Sequence, residues 1–181
     1  DLSPAPLGPH DVLVRVRASG LCHSDLSMMQ DAEPRLQLPV IMGHEGAGIV
    51  EEVGSEVTSL RPGDRVIASW VPSCGTCVWC VHGEANLCAN FSVSGRARWT
   101  LGGQDVGSMA GIGTMAEAMI ADEHAFVKVE TDLPDEHLAL IGCGVTTGVC
   151  AALNAAPVRA GNTVAVFGCG GDRDPGKRPI M

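Results

Sequence analysis

A chain of 181 residues with 45% apolar side chains can build one packed core, or one domain and part of a second, and does not have the composition of a disordered segment. A net charge of −9 and a pI near 5.0 exclude the basic face of a nucleic-acid binder, and without a polybasic run an anionic membrane surface is not an expected partner. The longest apolar runs, IMGHEGAGIV and VAVFGCGG, fall short of the roughly 20 residues that span a bilayer, and no charged-then-apolar leader opens the chain at Asp1, so neither a membrane span nor a signal peptide is expected.

In chain order, HDVLVRVRASG (10–20) predicts a strand, because Val12, Val14 and Val16 alternate with Leu13, Arg15 and Arg17. A short helix is expected near 24–30, with Ser24 and Asp25 as its cap ahead of Leu26. HEGAGIVEEVG (44–54) reads as strand and turn, RPGDRVIAS (61–69) as turn and strand, and GTMAEAMIADEHAFVKV (113–129) as a strand pair. Short strands punctuated by Gly and Pro predict a mostly β fold with some α, built on a partly open β-barrel. After Pro134, Asp135 and Glu136 suit a first helical turn, and the Ala-rich stretch 145–156 predicts a further helix. GNTVAVFGCGG (161–171) reads as a buried parallel strand entering a glycine turn, the opening of a Rossmann-type unit with Gly168 and Gly170 as candidate cofactor contacts. Arg173 stands where that fingerprint needs its third glycine, and DRDPGKRPIM (172–181) is unsuited to the long helix that should follow. The expected division is a first domain over 1–130, carrying a cysteine lobe at about 72–90, and a second segment over 131–181.

Eight cysteines decide the compartment. CGTCVWCVHGEANLC carries four of them, at 74, 77, 80 and 88. Cysteines two residues apart are poor disulfide partners but good neighbours around one ion, and the chain lacks the cysteine density of a stapled secreted domain. Four thiolates close a tetrahedral zinc site, so Cys74, Cys77, Cys80 and Cys88 predict a structural zinc in a reducing, cytoplasmic setting; an iron–sulfur cluster uses the same donors and is the main competitor. Pro72, Gly75, Gly83 and Asn86 suit the turns of such a loop, and His82 is expected at its surface. Cys150 and Cys169 need no role beyond that of small buried residues.

GLCHSD (20–25), GHEGAG (43–48) and GCGVTTG (142–148) add Cys22, His44, Glu45 and Cys143, each on a glycine-bearing segment that can bend. Two thiolates and one imidazole leave one tetrahedral position free, the pattern of a catalytic zinc. In this order GHEGAGIVEEVG, PGDRV, the four-cysteine lobe, GCGVTTG and VAVFGCGG resemble the zinc-dependent medium-chain alcohol dehydrogenases over residues from about 10 to about 171. The resemblance implies a GroES-like catalytic barrel and a catalytic zinc held by Cys22, His44 and Cys143, with Glu45 an occasional alternate ligand. It also implies a structural zinc on the lobe and Asp25 orienting His44. Ser24 would accept the alcohol's proton, with His23 and Thr147 beside the cofactor.

The activity so implied is oxidation of a small-molecule alcohol to an aldehyde or ketone, with hydride passing to a nicotinamide cofactor, NAD by family expectation. A homo-oligomer is expected for the intact family. One departure is Ser27, which stands where many members carry the histidine that ends the proton relay. The chain resembles about the first half of such an enzyme, so a non-catalytic zinc-binding fragment without cofactor affinity is the alternative. With one strand of a nucleotide fold, VAVFG would lack neighbours, and low solubility or dependence on a partner is expected. A thiol-rich storage or redox module fits poorly with donors spread in this order.

Overall fold

The computed structural model describes residues 1–30, 36–92, 95–156 and 158–167. A two-residue strand, β1 (Ser3–Pro4), precedes the long β2 (Asp11–Ser19), whose valine alternation turns Val12 and Val14 into the core while Arg15 and Arg17 face water. The helix α1 (His23–Met29) follows, then β3 (Val40–Ile41), β4 (Gly46–Val53) and β5 (Arg65–Ala68). The cysteine lobe carries one helical turn, α2 (Val78–Val81). Next come β6 (Trp99–Leu101), β7 (Gln104–Ser108), β8 (Ala118–Asp122) and β9 (Phe126–Lys128), and then the helices α3 (Asp135–Ala139) and α4 (Gly144–Cys150).

Two sheets form a half-barrel. The larger is antiparallel in the order β8-β2-β4-β5-β9, and the smaller has the order β1-β6-β7-β3, with β3 parallel to β7. Irregular register between β2 and β4, at Leu13/Val14 and Val16/Ala18, bends the central pair as bulges do. The main core gathers Val12, Val14, Val50, Val66, Ile112 and Met119 on the inner face. Strand alternation leaves Ala47 and Ile67, opposite one another on β4 and β5, on the other face. There they take up Leu138 and Ala139 of α3. That cluster binds α3 to the barrel.

The expected helix starts are shifted. α1 begins at His23 with Cys22 as its N-cap, so Ser24 and Asp25 lie within the first turn. Asp25 reaches back to accept the Cys22 N–H at 3.0 Å, as the third helical residue of a capping box does. The Ala-rich stretch is α4 followed by a turn of π-helix, Ala151–Ala155. Cys150 is exposed rather than buried, because α4 meets the rest of the described chain through its N-terminal end.

The strand expected over 161–167 does not form: Asn162–Phe167 pairs with no strand among the described residues, and Phe167 is 96% exposed. Its side-chain pattern suits a sheet interior, but a strand exists only where a neighbour takes up its backbone groups. Gly168, Cys169, Gly170, Arg173 and the rest of the tail lie outside the described residues. Among the described residues no single helix is long and apolar enough to cross a membrane.

Candidate metal centres

The dispersed centre follows from strand pairing. Ser19 at the end of β2 lies opposite Gly46 at the start of β4, and the Gly20 N–H donates to the Glu45 carbonyl at 2.8 Å. The residues just beyond β2 and just before β4 are therefore neighbours, which sets Cys22 beside His44 and Glu45. Cys143 arrives from the other direction, at the N-terminus of α4. Gly142 makes that approach possible: it lies so close to β5 that a Cβ would overlap the Ala68 carbonyl oxygen.

The structure brings together the Cys22 and Cys143 sulfurs, a His44 ring nitrogen and a Glu45 carboxylate oxygen, all within 4.8 Å of one another. The two sulfurs are 3.9 Å apart. His44 and Glu45 are buried, while both thiols are half-buried. One carboxylate braces two of the segments. Asp25, also buried, accepts from the Cys22 N–H through one oxygen and from the Gly43 N–H, at 3.2 Å, through the other. Its Oδ1 is 3.3 Å from His44 Nδ1 without lining up as a hydrogen bond, so both ring nitrogens are buried with no hydrogen-bond partner. Glu45 Oε1 accepts from the Gly144 N–H at 3.1 Å, tying the third segment to the first two. The Trp70 ring meets the imidazole edge-on at 4.2 Å.

The electrostatics fit a divalent cation. Burial pushes the His44 pKa down, against the opposing pull of Asp25 and Glu45, and so favours the neutral imidazole that a metal requires. Burial pushes the Cys143 thiol up to about 12, helped by Cys22 and then Glu45. Two thiols and a carboxylate share one small volume with no cation side chain among them, so without a positive ion the Cys143 thiolate is disfavoured. A dication reverses that balance, and a buried, unpartnered imidazole nitrogen gives it a ready donor.

His23 and Ser24 are half-buried beside Cys22 in the first turn of α1, and Thr147 is half-buried one turn into α4. Ser27 is exposed. Trp70, the Glu45–Gly144 tie and the Asp25 bond to Gly43 had no signal in the sequence pattern. Only the Asp25-to-Cys22 spacing, three residues at a helix start, is visible there.

The second centre is local. The sulfurs of Cys74, Cys77, Cys80 and Cys88 lie within 4.8 Å of one another, wrapped by α2 and a 3-10 turn, Ala85–Leu87. Peptide N–H groups point at the sulfurs: Cys77 donates to Cys74 at 3.4 Å and Cys74 to Cys88 at 3.3 Å. The Thr76 backbone and hydroxyl, with the Cys77 N–H, hold Cys74 down to about 5. Lost hydration and then its thiol neighbours push Cys80 up to about 11. One thiolate is thus favoured and its neighbour resisted until a cation arrives. Gly83 turns the chain at φ 84°, and His82 is exposed, away from the sulfurs. Val78, Trp79, Val81 and Leu87 are all exposed, so the lobe has little apolar core of its own.

Comparisons with known proteins agree with this architecture. Residues 8–131 match the model of the alcohol dehydrogenase GroES-like domain. The chain is 44% identical over 174 residues to the NDMA-dependent alcohol dehydrogenase of Amycolatopsis methanolica, covering 91% of this chain and 46% of that protein. It is 38% identical over 178 residues to an S-(hydroxymethyl)glutathione dehydrogenase of Escherichia coli O1:K1 / APEC, covering 94% and 48%. The crystal structure of benzyl alcohol dehydrogenase from Acinetobacter calcoaceticus superposes with a TM-score of 0.74 at 35% identity, over 85% of this chain and 43% of that one. The chain spans about half the length of the curated relatives it matches. With that match over most of its length and a half-barrel to go with it, the chain belongs to the alcohol dehydrogenase GroES-like domain family.

Proposed function

We propose that this chain is the catalytic, metal-binding part of a zinc-dependent alcohol dehydrogenase. The observation that carries the reading is the convergence of Cys22, His44, Glu45 and Cys143 around a buried imidazole nitrogen with no partner. Cys22, His44 and Cys143 would hold a catalytic zinc, and Glu45, within reach of it, would serve as an alternate ligand. Cys74, Cys77, Cys80 and Cys88 would hold a structural zinc. Bound in the first site, zinc supplies a Lewis acid for the alcohol oxygen, and NAD, when bound, supplies the hydride acceptor.

The protein's own groups do the rest. Asp25, with Oδ1 3.3 Å from His44 Nδ1, would orient the imidazole and raise its basicity once an ion is held. Ser24, in the first turn beside Cys22, takes up the alcohol's proton. His23, Thr147, Gly168 and Gly170 would contact the cofactor, the two glycines lying outside the described residues. The substrate class is a small alcohol and its carbonyl product, and the setting is cytoplasmic. The relatives named above act on alcohols and on S-(hydroxymethyl)glutathione by their names, and their likeness to this chain supports the reading.

A second reading has its own support. Val164, Val166 and Phe167 stand exposed where a cofactor-binding sheet would need them covered, which suits a metal-binding piece without cofactor affinity. Zinc per chain by elemental mass spectrometry, followed by NAD titration, separates the cases. Two zincs with saturable NAD binding supports the dehydrogenase. Two zincs without NAD binding supports the second reading. No zinc in a folded chain removes both.

A further inference from the structure

The chain between β9 and Cys143 has no strand to hold it, yet it must deliver a donor to a centre whose other members belong to the barrel. Arg65, the first residue of β5, reaches across this connection with three of its nitrogens. Nε donates to Asp135 Oδ1 at 2.7 Å, Nη1 to the Thr131 carbonyl at 2.9 Å, and Nη2 to the Leu133 carbonyl at 2.6 Å, with Asp135 Oδ1 again 2.7 Å from Nη2. Arg17 on β2 lies 3.8 Å from the other Asp135 oxygen. One planar guanidinium thus pins residues 131, 133 and 135 to the sheet. Asp135 opens α3, whose Leu138 and Ala139 pack on Ala47 and Ile67, and α3 runs on to Gly142, seated against Ala68, and so to Cys143.

We propose that Arg65 is a positioning residue for the dispersed metal centre: it docks the 131–143 segment on the barrel and thereby sets Cys143 among Cys22, His44 and Glu45. The inference rests on the reading of Cys143 as a zinc ligand. Arg65 touches none of the four donors, and acts only through the segment it holds.

Hydrogen exchange across 129–144 reads the docking directly, and zinc per chain reads its consequence. Arg65→Met keeps an apolar stem and removes every donor. Its amides at 136–142 should exchange at least about tenfold faster than wild type, as expected for losing charge-assisted bonds. The dispersed site should lose zinc affinity by on the order of tenfold or more. The four-cysteine site, with no part in the segment, should hold its zinc unchanged. Cobalt substitution gives the same answer optically, since the lobe's four-thiolate bands should persist while those of the two-thiolate site fade.

Unchanged exchange at 136–142 in Arg65→Met overturns the proposal whatever the zinc count. If Arg65→Met unfolds and loses both metals, Asp135→Asn decides. Faster exchange confined to the segment, with zinc lost from one site only, supports the proposal; wild-type exchange and two retained zincs overturn it. Should the wild type hold no second zinc and Cys143→Ser change nothing, the ligand reading of Cys143 fails, and the exchange data still tell whether Arg65 docks the segment.

Discussion

The two cysteine centres solve the same problem by different routes. In the lobe, four sulfurs come from residues 74 to 88, a stretch short enough that its own turns bring them within 4.8 Å. In the dispersed centre the two sulfurs are 121 residues apart in sequence and are brought together by the fold of the barrel. A long loop closed by a metal alone costs more chain entropy than a short one. Here the strand pairing of β2 with β4, and the docking of α3 on β4 and β5, hold the donor segments together through contacts that involve no ion. The lobe inverts the relation. Its apolar side chains Val78, Val81 and Leu87 face outward, so a bound ion would take the place of a core. On the proposed reading, the local site would make its fold depend on its metal, and the dispersed site would make its metal depend on its fold.

The sharpest way to break that contrast is to remove one thiolate from each centre. Cys77→Ser should empty the lobe and open residues 72–90 to proteolysis, while the dispersed site keeps its ion. Structural zinc in small peptides contributes on the order of 10–16 kcal/mol, so nothing in the lobe's sparse packing offsets the loss. Cys143→Ser should do the reverse, emptying the dispersed site with the barrel still folded and the lobe still loaded. Zinc per chain and limited proteolysis read both. If either substitution empties both centres, the two are coupled and the contrast is wrong.

A smaller effect should come from Gly142→Ala. The added Cβ meets the Ala68 carbonyl, a backbone atom that cannot swing aside, so the segment must lift from β5. A cost of about 1–3 kcal/mol is expected from overpacking. The dispersed site should lose its metal first in a chelator titration, while the lobe holds on. Smaller again is Asp25→Asn. The amide keeps one acceptor for the Cys22 and Gly43 N–H groups but not the charge beside His44. Metal affinity at the dispersed site should fall roughly 10-fold to 100-fold, with the lobe unaffected. Equal weakening at both sites would mean that Asp25 supports the whole fold rather than the imidazole.

What the sequence made legible follows the same division. The lobe could be read because its donors recur at fixed short spacing, and β2 because its valines keep a period of two. The donors of the dispersed centre were each readable only through the motif carrying it, and their meeting point came from resemblance rather than from local pattern. The ties that assemble them were invisible. Arg65 meets Asp135 70 residues away, and Glu45 meets the Gly144 amide 99 residues away. In the second case, as in the Arg65 bonds to Thr131 and Leu133, one partner is a backbone group that any residue type would supply. Cys150 was misplaced for a related reason: composition gives a cysteine's preference for burial but not the face on which a helix turns it. The stretch 162–167 carries a strand's pattern without a strand's partner, and only the pattern is written locally.

The mildest test acts on the barrel itself, at a residue that belongs to neither set of donors. Asp11, at the start of β2, accepts from Arg96 at 2.6 Å, from Arg98 through two nitrogens at 2.9 Å, and from the Gly8 N–H at 2.8 Å. Burial alone would push its pKa up, but Arg98, the Gly8 amide and Arg96 together outweigh burial, so the pKa lies below the ordinary 3.8. The unfolded chain therefore takes up this proton at a higher pH than the folded one. Stability from the carboxylate is fully present above the unfolded value and is lost as pH falls through the lower folded value. Asp11→Asn should cost about 1 kcal/mol in urea unfolding at neutral pH, since the charge assistance goes while an acceptor remains. The gap between variant and wild type should stay open down to the ordinary 3.8 and close as pH falls below it through the lower folded value. Parallel curves over that range would show that the two arginines do not act on this carboxylate. If the gap closes as expected, zinc counted at neutral pH should still find the lobe full in the variant, because a weakened barrel bears on the dispersed centre and not on a site that folds around its own ion.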